Sequence, residues 1–157
     1  MNGKSASNRN GETLTRMSGE TTTNGRPASG CTYSFVGIDH VQVAAPPGSE
    51  REAIHFYAGC LGFEQLEKPV DLQARGGVWF RCGAQQLHVG ISTAFAAADK
   101  AHPAFEVEGL ASLKAKLVGH GIAVTEDEHR VQEGIARFFT KDPFGNRLEF
   151  MEMCANE

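Results

Sequence analysis

Along residues 35–44, Ile38, His40 and Gln42 share one side of an alternating pattern while Val41 and Val43 occupy the other, as in a half-buried β-strand. The valine side is the expected core face, which turns His40 and Gln42 the opposite way. Pro46, Pro47 and Gly48 end that strand. The pattern then changes period. Ile54, Tyr57, Ala58 and Leu61 recur at helical spacing, with Ser49 and Glu52 placed as a capping box and Gly62 as the stop.

Shorter alternating runs follow. A strand is predicted at 63–67, a loop at 68–77, and a strand at 78–82 with Trp79 and Arg81 opposite Val78, Phe80 and Cys82. Gly83 and Ala84 turn the chain into a strand over 85–91, where Leu87, Val89 and Ile91 face the core and His88 faces away with Gln86. Residues 92–101 are small and polar enough for a linker. The theme then repeats. A strand over 102–107 sets His102, Ala104 and Glu106 against Phe105 and Val107, and Leu110, Leu113 and Leu117 line one side of a helix that stops at Gly121. Strands near 122–125 and 135–140 follow, the second placing Arg137 and Phe139 on the non-core side. The turn Asp142-Pro143-Phe144-Gly145-Asn146 leads into a last strand, where Arg147, Glu149 and Met151 oppose Leu148 and Phe150.

Strand, helix and three strands thus occur twice. In the first half His40 and His88 are 48 residues apart, on the first and last strands; in the second half His102 and Glu149 are 47 apart on the equivalent strands. Each half therefore offers one potential metal ligand on its first strand and one on its last, always opposite the apolar face. Repeats that cannot bury their faces alone are expected to pair, so an α+β fold of two paired βαβββ modules is predicted, with helices outside and a lined concavity. Its boundaries are a tail at 1–33 and a domain at 34–155, with module one at 34–92 and module two at 102–154.

The first 33 residues are a different material, rich in Asn, Ser, Thr and Gly, with Leu14 their only large aliphatic side chain. They read as a disordered tail, and Met17 stands within it as a second candidate initiator. The whole chain of 157 residues is 41% hydrophobic, which supports one packed domain, and its net charge of −4 without a basic cluster gives no reason for nucleic-acid or membrane-surface binding. No apolar run reaches the ~20 residues of a membrane-spanning helix. Four scattered cysteines, Cys31, Cys60, Cys82 and Cys154, suit reduced thiols of a cytoplasmic protein.

From Val36 to Met153 the chain resembles the vicinal oxygen chelate superfamily, which includes glyoxalase I, methylmalonyl-CoA epimerase, fosfomycin- and bleomycin-resistance proteins and extradiol dioxygenases. The matching segments are Ile-Asp-His-Val-Gln-Val at His40, His-Phe-Tyr-Ala-Gly-Cys-Leu-Gly-Phe ending the first helix, and Gln-Leu-His-Val at His88. His-Pro-Ala-Phe-Glu-Val from His102 and Asp-Pro-Phe-Gly-Asn-Arg-Leu-Glu-Phe at the last strand also match. The resemblance implies a curved mixed sheet around a mononuclear site, with His40, His88, His102 and Glu149 at the ligand positions. Three imidazoles and a carboxylate suit Zn²⁺, Ni²⁺, Co²⁺, Fe²⁺ or Mn²⁺. Glyoxalase I usually has Glu where this chain has His88, so the match is to the family more than to that enzyme.

The implied activity is that of a metal-dependent lyase or isomerase. It acts on a small oxygen-chelating substrate, with Glu149 as ligand or proton-transferring base. Gln42, Trp79, Arg81, Arg137, Phe139 and Arg147 share the inferred inner face and are candidate substrate contacts, the arginines suiting a carboxylate or phosphate. Alternatives are a non-catalytic antibiotic- or metabolite-binding protein and an extradiol-type dioxygenase. An open curved sheet has an edge to close, so a homodimer is expected.

Overall fold

The computed structural model describes residues 32–154; most of the expected N-terminal tail lies outside them. The chain divides into two units, Met1–Gly37 and Ile38–Glu157. Among the described residues the second carries every strand and helix, in the order β1 (His40–Ala45), α1 (Glu50–Ala53) continuing as a π-helix (Ile54–Cys60), β2 (Glu64–Leu66), α2 (Val70–Gln73), β3 (Val78–Cys82), β4 (Gln85–Ile91), β5 (Ala104–Glu106), α3 (Leu110–Gly119), β6 (Thr125–Glu126), a 3₁₀ turn (Val131–Glu133), β7 (Ile135–Lys141) and β8 (Arg147–Met153).

The predicted repeat is present in the topology. One four-stranded sheet runs β1-β4-β3-β2 and the other β5-β8-β7-β6. In both, the first strand of the module lies parallel to the last, while the remaining pairs are antiparallel. This is an α+β fold of two βαβββ modules. Each module keeps its own sheet, and β1 and β5 are both edge strands.

Strand period two sorts most faces as the alternation predicts; the exception is Val41, expected on the core face with Val43 but exposed near the start of the edge strand β1. Val43, Phe80, Leu87 and Val89 of the first sheet, with Phe105, Phe138, Leu148 and Phe150 of the second, are buried in one shared cluster. Phe105 and Phe150 stack at 5.2 Å, and Phe63 reaches Phe105 across the modules at 5.5 Å. Truncating a side chain as enclosed as Phe150 to Ala costs about 3–5 kcal/mol.

The first helix departs from the predicted winding. Its fully buried positions are Ala53, Phe56, Tyr57 and Cys60; of the predicted stripe only Tyr57 is among them, while Ile54, Ala58 and Leu61 are partly buried against the core. The cause is the π-helical turn: Leu61 N–H bonds to Phe56 O, five residues back, so the apolar face rotates relative to an α-helix. Nor does the capping box form. The Ser49 hydroxyl donates back to Pro46 O at 2.6 Å, and it is Glu50 whose carboxylate accepts from Gly77 N–H at 3.0 Å. That bond holds the Glu50 carboxyl below its ordinary value. The expected loop at 68–77 contains the short α2, and the strand expected at 122–125 is reduced to β6.

Two polar devices join distant segments. Glu152 of β8 accepts from Gly109 N–H and Leu110 N–H, capping α3 from another element. Asp142, buried in the β7–β8 turn, accepts from Phe144 N–H, Asn146 N–H and the Asn146 amide, and Asn146 also donates to Ala44 O of β1 at 2.7 Å. No helix among the described residues is long and apolar enough to cross a membrane.

Candidate metal and substrate site

Each module brings its two candidate ligands together. In module one, His88 is buried and lies between two rings: His40 stacks on it at 4.2 Å and Trp79 at 4.0 Å, nearly parallel at 2°. The β1–β4 register produces this, pairing His40 with Gln86 and Gln42 with His88, so the two histidines are diagonal neighbours on one face. Burial lowers the His88 pKa, and the neighbouring His40 lowers it further.

In module two, His102 Nε2 lies 2.8 Å from Glu149 Oε2. Pro103 O accepts from Glu149 N–H, which ties the start of β5 to β8 and sets this approach. Glu149 is buried, and Arg137 Nη1 donates to its other oxygen at 3.0 Å. Arg137 Nη2 donates to Asp127 Oδ2 at 3.1 Å, and Asp127 Oδ1 accepts from both the backbone and the ring of His129. The Asp127 carboxyl is held at about 2, first by the His129 N–H and then by the His129 ring and Arg137.

The second nitrogen of each histidine follows a pattern common among metal ligands, in which one ring N–H is anchored so that the other nitrogen is presented. His40 Nδ1 donates to Asp39, His88 Nε2 to Gln86 Oε1 and His102 Nδ1 to Lys100 O. That leaves His40 Nε2, His88 Nδ1 and His102 Nε2 as donors. The last faces Glu149 Oε2 at 2.8 Å, the place a cation would take. Donor types and anchoring therefore fit a divalent transition ion. The grouping is two and two: among the described residues of one chain no three His, Cys, Asp or Glu side chains gather.

The other predicted inner-face residues divide by partner. Gln42 covers Gly90 beside Trp79. Arg81 is exposed and bonded to Glu64 at 2.9 Å across the β2–β3 pair. Arg137 is tied to Glu149 and Asp127 as described. Phe139 is buried, meets His102 edge-on at 5.5 Å, and carries the Arg147 guanidinium over its ring at 3.9 Å. No local pattern signals Asp127, whose role depends on a contact with Arg137 across the β6–β7 region. Lys141 was within reach of strand parity, since it follows Arg137 and Phe139 on the same face of β7.

The sequence profile of the Glyoxalase/Bleomycin resistance protein/Dioxygenase superfamily matches residues 37–150. Among solved structures, a Bacillus anthracis protein assigned to the glyoxalase family is 47% identical, with 78% of this chain and 99% of that one covered at a TM-score of 0.75. A glyoxalase family protein from Enterococcus faecalis is 29% identical over 75% and 98% of the two chains, with a TM-score of 0.59. Lactoylglutathione lyase from Agrobacterium tumefaciens, 22% identical over 76% and 96% with a TM-score of 0.60, shares the fold. Among curated proteins, none matches the chain.

Proposed function

Because the chain belongs to the Glyoxalase/Bleomycin resistance protein/Dioxygenase superfamily, we propose that it is a metal-dependent lyase or isomerase of the glyoxalase type, working as a cytoplasmic homodimer on a small oxygen-chelating molecule. The carrying observation is the pairing of anchored donors, His40 with His88 and His102 with Glu149, each pair on the first and last strands of its module. A divalent Zn, Ni, Co, Fe or Mn ion bound there would supply Lewis-acid polarisation of substrate oxygens. The protein's own contribution centres on Glu149. Arg137 fixes one carboxylate oxygen, so Oε2 alone is presented toward His102 and is the atom to ligate or to accept a substrate proton. Burial keeps competing water from that oxygen. Trp79 holds the His88 ring in plane, and Phe139 walls the His102 side.

Two pairs make one four-donor site when a second copy supplies the missing half. The edges β1 and β5 are unpaired, and a cleft of about 1020 Å³ beside them exposes Ile38, Val41 and Met153. A two-fold dimer would cover these and set His40 and His88 of one chain against His102 and Glu149 of the other.

The test is complementation read by elemental analysis. One chain carries His40→Ala with His88→Ala, the other His102→Ala with Glu149→Ala, and each alone should hold little transition metal. Co-refolded in equal amounts, half the dimers are mixed and each mixed dimer has one intact site, so about a quarter of wild-type occupancy should return. No recovery, with a metal-loaded wild type, places the four donors within one chain. A wild type that stays metal-free after soaking with each ion supports instead the binding-protein reading.

A further inference from the structure

Lys141 and Arg147 stand directly opposite each other in the β7–β8 register, on the face that also carries Glu149. Like charges facing each other across neighbouring strands destabilise a sheet. Elsewhere on the non-core faces the arginines have acids: Arg81 has Glu64, and Arg137 has Glu149 and Asp127. Among the described residues neither Lys141 nor Arg147 has a carboxylate within ion-pair distance. Both line one cavity of about 480 Å³, with Thr125, Phe139 and the more distant acid Asp99. The Arg147 guanidinium carbon sits over the Phe139 ring, 3.9 Å from its centroid, a cation–π contact that holds the side chain beside the cavity both residues line. The same Phe139 ring meets His102 edge-on at 5.5 Å, so the cavity-lining ring also touches a candidate metal ligand. The turn that joins the two cations is held by four hydrogen bonds to the Asp142 side chain, so their opposition is built into the hairpin.

From this we infer that Lys141 and Arg147 form an oxyanion-binding subsite, and that the substrate is a small organic anion, a carboxylate or phosphoryl compound. Its charged end is clamped by Arg147 over Phe139 while its oxygen-bearing end reaches His102 and Glu149. The anion relieves the repulsion between the two cations, and Arg147 provides a planar two-pronged donor for it. This rests on reading His102 and Glu149 as the reacting end of the site, but the subsite can be tested without metal.

The full-length chain, stripped with chelator, is titrated separately with inorganic phosphate and with malonate, following the Arg147 Nε–H and Phe139 amide resonances. At least one anion should shift both signals in a saturable way. Arg147→Gln and Lys141→Gln should each weaken that binding about 10-fold or more, as expected for a lost charge-assisted bond, with Arg147→Lys between them and wild type. Arg130→Gln, a change at an arginine paired with Glu133 outside the cavity, should leave it unaltered. Saturation by phosphate alone identifies a phosphoryl substrate; saturation by malonate alone identifies a carboxylate. Binding indifferent to both Gln variants, or no shift at either signal up to about 50 mM of both anions, a ceiling corresponding to under 2 kcal/mol, overturns the proposal. Metal content measured on the untreated protein is independent of these outcomes, so failure of the metal site and failure of the anion subsite are read separately.

Discussion

The Tyr57 hydroxyl donates to Asp142 Oδ2 at 2.8 Å, joining the first helix to a turn 85 residues later. Burial and the neighbouring carboxylate push the Tyr57 hydroxyl well above its ordinary pKa, so it remains a donor at all working pH. Asp142 in turn organises Phe144 and Asn146, and Asn146 reaches Ala44. Tyr57→Phe removes one donor and keeps the ring, and should cost about 1–2 kcal/mol. Asp142→Ala strands several buried donors at once and should cost about 3–4 kcal/mol. Urea unfolding of both variants checks the order; equal losses would show that Tyr57 is the only partner of consequence.

Gly77 has φ 81°, and a Cβ there would strike the backbone carbonyl oxygen of Val89. Backbone cannot swing aside as a side chain can. Gly77→Ala should therefore lose about 3 kcal/mol or more. Gly90→Ala is the informative contrast, because the atom it meets, at 2.6 Å, is the amide end of Gln42. That end can rotate away, and the loss should stay near 1 kcal/mol. Thermal melting distinguishes the two; equal shifts would contradict the argument.

Asp127 titrates at about 2 in place of its ordinary 3.8. A carboxyl lowered by folding contributes stability that is present above its unfolded pKa and lost as pH falls through the folded one. Native stability should thus decline between pH 3.8 and about 2, the interval set by these two values. Asp127→Asn should flatten that part of the curve, because the protonated form has little left to lose. Denaturation curves for both proteins across this interval check it, and parallel slopes would refute the assignment.

Trp79 is the only tryptophan of the chain and lies flat on the His88 ring. Its fluorescence should therefore report what happens to His88. Added Ni²⁺ or Co²⁺ should quench the emission with a saturating profile, and His88→Ala should abolish the saturable part while leaving collisional quenching. An unaltered titration in His88→Ala would mean that these ions bind elsewhere.

Period-two alternation was enough to place Val43, Phe80, Leu87, Leu148 and Phe150 in the core and the candidate ligands opposite, because side-chain direction in a strand is fixed by parity. Gly62 ends the first helix at φ 85°, as its position predicts. What local pattern could not carry were the choices settled by distant partners. Ser49 and Glu52 have the spacing of a capping box, yet Glu50 is drawn to Gly77 and Ser49 to Pro46. The π-helical turn shifts the buried stripe by bonds that spacing does not encode. Spacing also pairs His40 with His88 and His102 with Glu149, but it says nothing of the relation between sheets.

The parallel closure of each module has a consequence for how the chain acquires its shape. The hairpins β3–β4 and β7–β8 close over short turns and can form early, whereas β1 must wait for β4 and β5 for β8. Those pairings, such as His40 with Gln86 and Ala104 with Glu149, bridge a helix and two strands of intervening chain, so long-range search precedes reward in both halves. During synthesis the first half emerges complete in sequence but unfinished in chemistry: Tyr57 is exposed to the translating cell before Asp142 exists, and Phe63 before Phe105. Folding of this protein should therefore be post-translational in its final step, with the second half acting as the template that locks the first.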